Sequence, residues 1–296
     1  MKRVFKLIYR IIPFKKQVYL AIRRVWTPRE TIYRHLHFNG VFKVKVDDRA
    51  GFEINHHGYQ IENEIFWKGL TGGWEKTSMA IWIALCKKSD VIFDIGANTG
   101  IYSLVAKSIH PEAEVYAFEP VNRVYSKLVD NNRLNGYNIV CHELAVSNLD
   151  GKALIYDTND DHVLSVTLNK NLRSADTTVI PTVVNTIKLS SIVEKNEMRR
   201  IDLIKIDVET HEPEVLQGLE PYLSRDKPTL LIEVLTADIG KQIEEIVDGK
   251  NYLYFNIDEN GGIRKTDSIL KSDYYNYLLC QPAIAYSLGL ISHRCQ

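Results

Sequence analysis

The residues that could do chemistry fall into two groups, and the first surrounds a glycine turn. In Val91-Ile92-Phe93-Asp94-Ile95-Gly96-Ala97-Asn98-Thr99-Gly100 a short β-branched and aromatic run stops at an acid, and Gly96 and Gly100 then bracket a turn into a helical pattern. A dinucleotide site would show G-x-G-x-x-G, so that backbone amides and a helix N-terminus can approach a pyrophosphate. The spacing here is G-A-N-T-G, and Asp94 aims a carboxylate into the same turn. Two like charges ~4 Å apart repel by roughly 4 kcal/mol at an effective dielectric of about 20, so a phosphate is a poor guest. In V-Y-A-F-E-P, Glu119 is placed to accept both ribose hydroxyls of an adenosine, and Pro120 starts the next helix. A ligand carrying an ammonium and a sulfonium beside an adenosine suits both acids, and S-adenosyl-L-methionine has those parts. The residues expected to hold it are Asp94, Gly96, Ala97, Asn98, Gly100, Glu119 and Pro120, with Glu143 and Ala145 of C-H-E-L-A-V-S near the adenine. The plainer readings are a bare strand-to-helix turn, a surface acid and small core residues.

The second group lies in D-V-E-T-H-E-P-E. Methyl transfer from such a ligand to a hydroxyl needs alignment of the reacting atoms and removal of the acceptor's proton. A base at the transfer point contributes about 10²- to 10⁴-fold. Asp207, Glu209 and His211 are the candidates, at the end of the apolar run D-L-I-K-I and in the turn beyond it. His211 also has a capping role open to it, because Glu212-Pro213-Glu214 begins a helix. Asp207 and Glu209 could instead hold backbone or the ligand's ammonium. With Glu233 at the end of T-L-L-I-E-V, Asp207 and Glu209 could alternatively form an oxygen-rich site for Mg²⁺, Mn²⁺ or Ca²⁺. His56, His57 and Glu75 precede these elements and are candidates for the acceptor side, with turn and cap roles equally open.

Positioning these groups requires a sheet whose strand ends meet. Apolar strand cores recur at 115–118, 139–141, 202–206, 229–234, 252–257 and 276–280, with helical patterns between several of them. That alternation predicts an α/β fold with a doubly wound, mostly parallel sheet. Asn260-Gly261-Gly262 marks a turn between the last two strands, so a terminal antiparallel hairpin is expected. Ahead of the glycine turn, V-F-K-V-K-V and G-F-E-I-N-H-H-G alternate like a small hairpin, and W-E-K-T-S-M-A-I-W-I-A-L-C reads as a helix.

Of 296 residues, 45% are hydrophobic and 25% charged, which suits an ordinary globular chain. Net charge is zero, yet residues 1–34 hold ten Lys or Arg against the single acid Glu30, which leaves the remainder net acidic. A catalytic face for polyanions such as RNA is therefore disfavoured, and no platform of interleaved aromatic and basic residues is visible. Val4, Phe5, Leu7, Ile8, Ile11 and Ile12 fall mostly on one helical face among basic residues, up to Pro13, so this arm is a candidate for lying peripherally on an anionic membrane. Packing on its own domain or on a second subunit is the alternative. Basic residues interrupt it too often for a secretory h-region, and no run approaches ~20 apolar residues. Cys86, Cys141, Cys280 and Cys295 show no C-x-x-C spacing and read as thiols of a reducing compartment, so a cytoplasmic location is expected.

The ordered series F-D-I-G-A-N-T-G, A-F-E-P, N-N-R-L-N, E-L-A-V-S-N-L-D-G, I-D-L-I-K-I-D-V-E-T-H-E-P-E-V-L-Q-G and L-L-I-E-V resembles the FkbM-type family of S-adenosylmethionine-dependent methyltransferases, over about residues 60–280. The resemblance implies the class I methyltransferase (Rossmann-like) fold, with seven strands ending in a reversed hairpin, and O-methylation of a hydroxyl on a sugar, a glycan or another natural product. Such families commonly carry Gly-Ala after the acid of D-V-E, where this chain has Thr210 and His211. The expected organisation is a basic helical and β extension at 1–40 followed by a methyltransferase domain at 41–296, its core at about 75–282. A non-catalytic module that keeps the fold, or an enzyme acting on RNA, are the rival readings.

Overall fold

The structure is a computed structural model that describes residues 14–158 and 179–292. Ahead of the glycine turn the chain forms α1 (Lys15–Val25), α2 (Glu30–Tyr33), β1 (Gly40–Lys45), β2 (Gly51–His56), α3 (Gln60–Lys68) and α4 (Lys76–Cys86). The turn joins β3 (Val91–Ile95) to α5 (Ile101–Ile109), followed by β4 (Glu114–Phe118), α6 (Asn122–Leu134) and β5 (Val140–His142). Three strands come next, β6 (Ala145–Val146), β7 (Gly151–Thr158) and β8 (Val179–Ile187). The chain then runs through α7 (Leu189–Lys195), β9 (Leu203–Ile206), α8 (Glu212–Leu219), α9 (Tyr222–Asp226), β10 (Thr229–Glu233) and α10 (Ala237–Val247). It closes with β11 (Leu253–Asp258), β12 (Gly262–Thr266), β13 (Asn276–Cys280) and α11 (Pro282–Ser287).

The main sheet has the order β12-β11-β13-β10-β9-β3-β4-β5. From β5 to β10 all neighbours are parallel, and β13 enters antiparallel between β10 and β11. This is the doubly wound sheet that the strand pattern predicts and the class I methyltransferase arrangement that the family resemblance implies. Its inner strands are apolar on both faces because helices cover both. On one face β1, β2, α3, α4 and α5 pack into a core with Phe66, Trp82, Leu104 and Leu278; on the other, α7, α8, α9 and α10 bury Ile192, Leu216, Leu223 and Ile243. Strand order reverses between β3 and β9, so the crevice opens outside their carboxyl ends.

Two features depart from the expectation. Asn260-Gly261-Gly262 turns the chain from β11 into β12, an eighth strand on the sheet edge, and β13 comes only after it. β12 is only partly buried, with Arg264 and Lys265 exposed, so its apolar signal was too weak to read as a strand. The second is a separate sheet of order β6-β8-β7, inserted between β5 and α7. One face is turned inward at Ile155 and Val184, and the other leaves Leu154 and Val183 exposed.

The predicted hairpin is present as β1 and β2, paired from Gly40 against His56 to Lys45 against Gly51. The amphipathic pattern at residues 4–12 lies outside the described residues. The part of the extension that is described packs on the domain: Tyr19 and Phe38 meet edge to face at 6.4 Å, Tyr19 contacts Trp67 at 5.6 Å, and Tyr33 is buried in the same core. Outward, α1 leaves Phe14, Val18, Val25 (87% accessible) and Trp26 exposed. No helix among the described residues is long and apolar enough to cross a membrane. Cys86 and Cys280 are buried free thiols and Cys141 is partly buried; Cys295 lies outside the described residues.

Candidate active site

A cleft of about 430 Å³ opens where β3, β4 and β9 end. Its floor is set by Gly96, which adopts φ 75°, and a Cβ there would lie 1.8 Å from the carbonyl oxygen of Asp207. Only glycine allows the end of β3 to pass this close to the end of β9. The Gly96 and Ala97 amides both donate to the Phe118 carbonyl, at 3.0 and 2.9 Å, which ties the turn to β4. Asn98 is left-handed (φ 54°), and Gly100, at φ 90°, opens α5 against the Leu128 side chain.

At the end of β4, the Glu119 carboxylate accepts from the Asn98 amide at 3.1 Å and from the Val121 amide at 3.0 Å. Burial nonetheless pushes its pKa up to about 7, against the lowering effect of these two bonds. A carboxylate offers about four acceptor positions, so two are left for ligand hydroxyls. Glu119 lines the cleft together with Gly96, Asn98, Pro120, Leu144 and Ala145, an apolar slot with one acid, which fits an adenosine. Ala97 is buried beside the turn, and Gly100 serves the helix start.

Two expected residues take other places. Glu143 is exposed and accepts from Asn122, outside the cleft wall, because β5 ends one residue earlier and turns its side chain outward. Asp94 does not reach into the turn. It is fully buried, and its Oδ2 accepts from the Ser103 amide at 3.0 Å and the Ser103 hydroxyl at 2.6 Å, fastening the first turn of α5. Burial raises its pKa, and its Oδ1 has no hydrogen-bond partner among the described residues.

The partner in charge of Asp94 is Lys205, which stands opposite it in the β3–β9 ladder. Lys205 is 6% exposed, donates to Asp207 Oδ2 at 3.0 Å, and lies 4.9 Å from the Tyr102 ring centre. Burial opposes its charge, but Asp207, Asp94 and Glu75 outweigh this and raise its pKa above the ordinary lysine value. Tyr102 donates to Glu75 at 2.6 Å, behind the cleft wall, where burial and the charge of Asp207 push the Glu75 carboxyl up to about 7. Glu75 is thus drawn to the transfer end without lining the cleft. His56 is buried, bonded to Asn63 and facing Glu62 at 3.6 Å, and neither it nor His57 lines the cleft.

Asp207, Glu209 and His211 do converge on the cleft. Glu209 and Thr210 both have positive φ, 56° and 78°, which is unfavourable for a β-branched threonine. Glu212 holds this bend, its Oε1 accepting from the Val208 and Thr210 amides at 3.2 Å each. His211 occupies the capping position of α8, but its ring makes no capping bond. Nε2 meets the Ser147 hydroxyl at 3.0 Å and Nδ1 faces Glu214 Oε2 at 3.3 Å. Burial lowers its pKa, with Glu214 opposing, so the ring is neutral at pH 7. A neutral ring carries one proton, and in the tautomer with that proton on Nδ1, beside Glu214, Nε2 is the basic nitrogen.

The divalent-ion site raised as an alternative for Asp207, Glu209 and Glu233 finds no support in the geometry. Among the described residues no group of three or more His, Cys, Asp or Glu side chains is arranged to hold a metal ion. The cation among these acids is Lys205. Glu233 is pushed up to about 10, by burial first and then by Asp207, Glu209 and Glu212, and so carries a proton at neutral pH.

The sequence profile of the Methyltransferase FkbM domain matches residues 94–266, more than half of the chain and the segment that carries most of this cleft. The chain belongs to that family. Among curated proteins similar to it are the hexuronic acid methyltransferase AglP of Haloferax volcanii, 24% identical over 49% of this chain and 56% of that one, and the 31-O-demethyl-FK506 methyltransferase FkbM of Streptomyces tacrolimicus, 28% identical over 45% and 61%. The chain thus spans little more than half the length of these two relatives. A solved methyltransferase FkbM from Methylobacillus flagellatus KT superposes with a TM-score of 0.41 at 18% identity, covering 64% of this chain and 43% of that one. The FkbM domain begins at Asp94, so the part of the cleft wall supplied by α3 and Trp74 lies outside the family match.

Lys205, Ser147, Gln60, Glu64 and Trp74 were not among the residues expected here. A lysine flanked by isoleucines in a strand buried on both faces is a readable signal for the first. The others carry none, because their contribution depends on how α3 and β6 are placed.

Proposed function

We propose that the protein is an S-adenosylmethionine-dependent O-methyltransferase acting on a hydroxyl of a sugar or glycan. One observation carries this reading: a single cleft has the acceptor-only carboxylate of Glu119 at one end and, at the other, the neutral imidazole of His211 beside the Glu214 carboxylate. Membership of the FkbM family supports methyl transfer, and the names of the two relatives support a hydroxyl or sugar acceptor.

S-adenosylmethionine, held along Gly96, Asn98 and Glu119, would supply an electrophilic methyl group. The chain's own residues do the rest. Glu119 accepts the ribose hydroxyls. Asp207, fixed by Lys205, presents negative charge to the cationic end of the ligand. His211 Nε2 takes the acceptor's proton, in competition with Ser147 for the same lone pair, and Glu214 stabilises the imidazolium that results. Lys205 provides the fixed positive charge among the acids, and no metal ion is needed for this scheme.

Peripheral membrane association is part of the same proposal. The exposed Phe14, Val18, Val25 and Trp26 beside Lys15, Lys16, Arg24 and Arg29 suit an anionic lipid surface at the inner face of the membrane. Through Tyr19 and Trp67, α1 rests on the back of α3, whose front lines the cleft, so a glycan carried on lipid would be within reach.

Incubation with methyl-labelled S-adenosylmethionine and envelope glycan tests the reading. Alkali-stable label in the glycan, with the mass of one methylene added, is expected. Labelled protein or RNA in place of glycan would refute it.

A further inference from the structure

One wall of the cleft lies apart from the strand ends and has a chemistry of its own. It is built by α3 and by Trp74, which precede the family match. Trp74 is partly buried and held edge-on by Tyr102, with ring centres 6.0 Å apart, so an indole surface is fixed at the cleft. Glu64 lines the same wall. Tyr33 donates to its Oε1 at 3.0 Å, which anchors the carboxylate and leaves Oε2 without a partner among the described residues. Gln60, one helical turn earlier, is exposed at the same wall.

We infer that this wall is the acceptor subsite and that it takes an uncharged or amine-bearing sugar ring in preference to a uronic acid. The inference rests on the methyltransferase reading above and specifies its acceptor. A fixed indole stacks on the apolar face of a pyranose, and Glu64 and Gln60 supply an acceptor and an amide for ring hydroxyls. Charge decides against a uronate. The cleft is lined by Glu64, Glu119, Asp207 and Glu209 and by no lysine or arginine among the described residues. Lys205 answers Asp207 from beneath the floor and does not reach the wall. A carboxylate on the sugar would meet Glu64 directly, while the nearest cations are already engaged, Lys127 by the hydroxyl and ring of Tyr59 and Lys68 over the ring of Tyr33; an ammonium or hydroxyl would be favoured there. The relative named for a hexuronic acid acceptor therefore differs from this chain in the charge of its acceptor.

Ligand-detected NMR on the full chain saturated with S-adenosylhomocysteine tests this, with methyl glucoside, methyl glucosaminide and methyl glucuronide as probes. The first two are expected to bind at least roughly tenfold more tightly than the third. Glu64→Gln, which keeps the bond from Tyr33 in shape, should narrow that gap, and Trp74→Ala should weaken all three sugars while leaving S-adenosylhomocysteine affinity unchanged. A glucuronide bound as tightly as the glucoside, a gap unmoved by Glu64→Gln, or no sugar bound at all would overturn the subsite. Failure of S-adenosylhomocysteine itself to bind would instead overturn the methyltransferase reading. Circular dichroism melts of both variants show that any loss is not one of folding.

Discussion

The two ends of the cleft are built by opposite means. At the nucleotide end, Gly96, Asn98 and Glu119 come from consecutive strand ends, and the polar groups that shape it are held by backbone amides and carbonyls. At the transfer end, Lys205 and Asp207 come from the end of β9, Glu75 from the start of α4 and Asp94 from β3, and what holds them is charge on charge around one buried ammonium. The first is a shape that persists whatever its protonation. The second is an electrostatic arrangement that tolerates no missing member.

The largest effect should come from removing the ammonium. Lys205→Met leaves Asp94 and Asp207 facing each other without a cation, and breaking a buried pair costs roughly 3–5 kcal/mol. Urea unfolding at pH 7 should show that loss, and the loss should shrink at low pH as the acids take up protons. A change below about 1 kcal/mol would mean that the cluster is not held by charge.

Glu119→Gln should leave folding nearly intact and weaken S-adenosylmethionine by about ten- to a hundredfold, the worth of charge-assisted bonds, measured by calorimetry. The wild-type affinity should also depend on pH. Hydroxyls donate to the ionised form of Glu119, so binding lowers the pKa from its free value of about 7. Affinity should therefore be level above pH 7 and fall below it, by up to about tenfold per pH unit. A flat profile would remove Glu119 from the ribose.

Smaller effects are expected at the edges. Thr210→Gly relieves a left-handed β-branched residue and should stabilise the chain by about 1 kcal/mol, less the entropy that glycine adds to the unfolded state. A destabilised variant would show that the threonine side chain does more than occupy the bend. On α1, Val25→Asp with Trp26→Asp should lower binding to anionic vesicles without moving the thermal midpoint, since both residues are exposed. Vesicle binding that is unchanged, or absent from the wild type, would end the membrane proposal.

The same contrast governs what the sequence could show. The nucleotide end was legible because Asp94, Gly96 and Glu119 sit in one short strand-turn-helix-strand stretch, where spacing and chemistry coincide. Even there, the burial of Asp94 was not legible: a strand-end acid looks the same whether it faces the crevice or the helix beside it. At the transfer end, D-V-E-T-H was visible as a set of candidates, but the identity of the charge between them depended on β3 lying beside β9 and placing Asp94 opposite Lys205. The acceptor wall was hidden altogether, because α3 and Trp74 reach the cleft only through tertiary packing. The edge strand β12 escaped for a related reason, since a half-exposed strand such as Gly262–Thr266 lacks a continuous apolar run.

The central claim is that one end of the cleft grips the cofactor and the other removes a proton. It is tested most directly by His211→Ala, measured twice on the same sample: S-adenosylmethionine affinity by calorimetry, and initial rate of label transfer with methyl glucoside as acceptor. Unchanged affinity with a rate lower by about 10²-fold or more is expected, along with a wild-type rate that is already level at neutral pH and falls only on acidification, because burial holds the His211 pKa below the ordinary histidine value. A variant that keeps the wild-type rate, or one that loses rate and affinity together, would contradict the division of labour between the two ends.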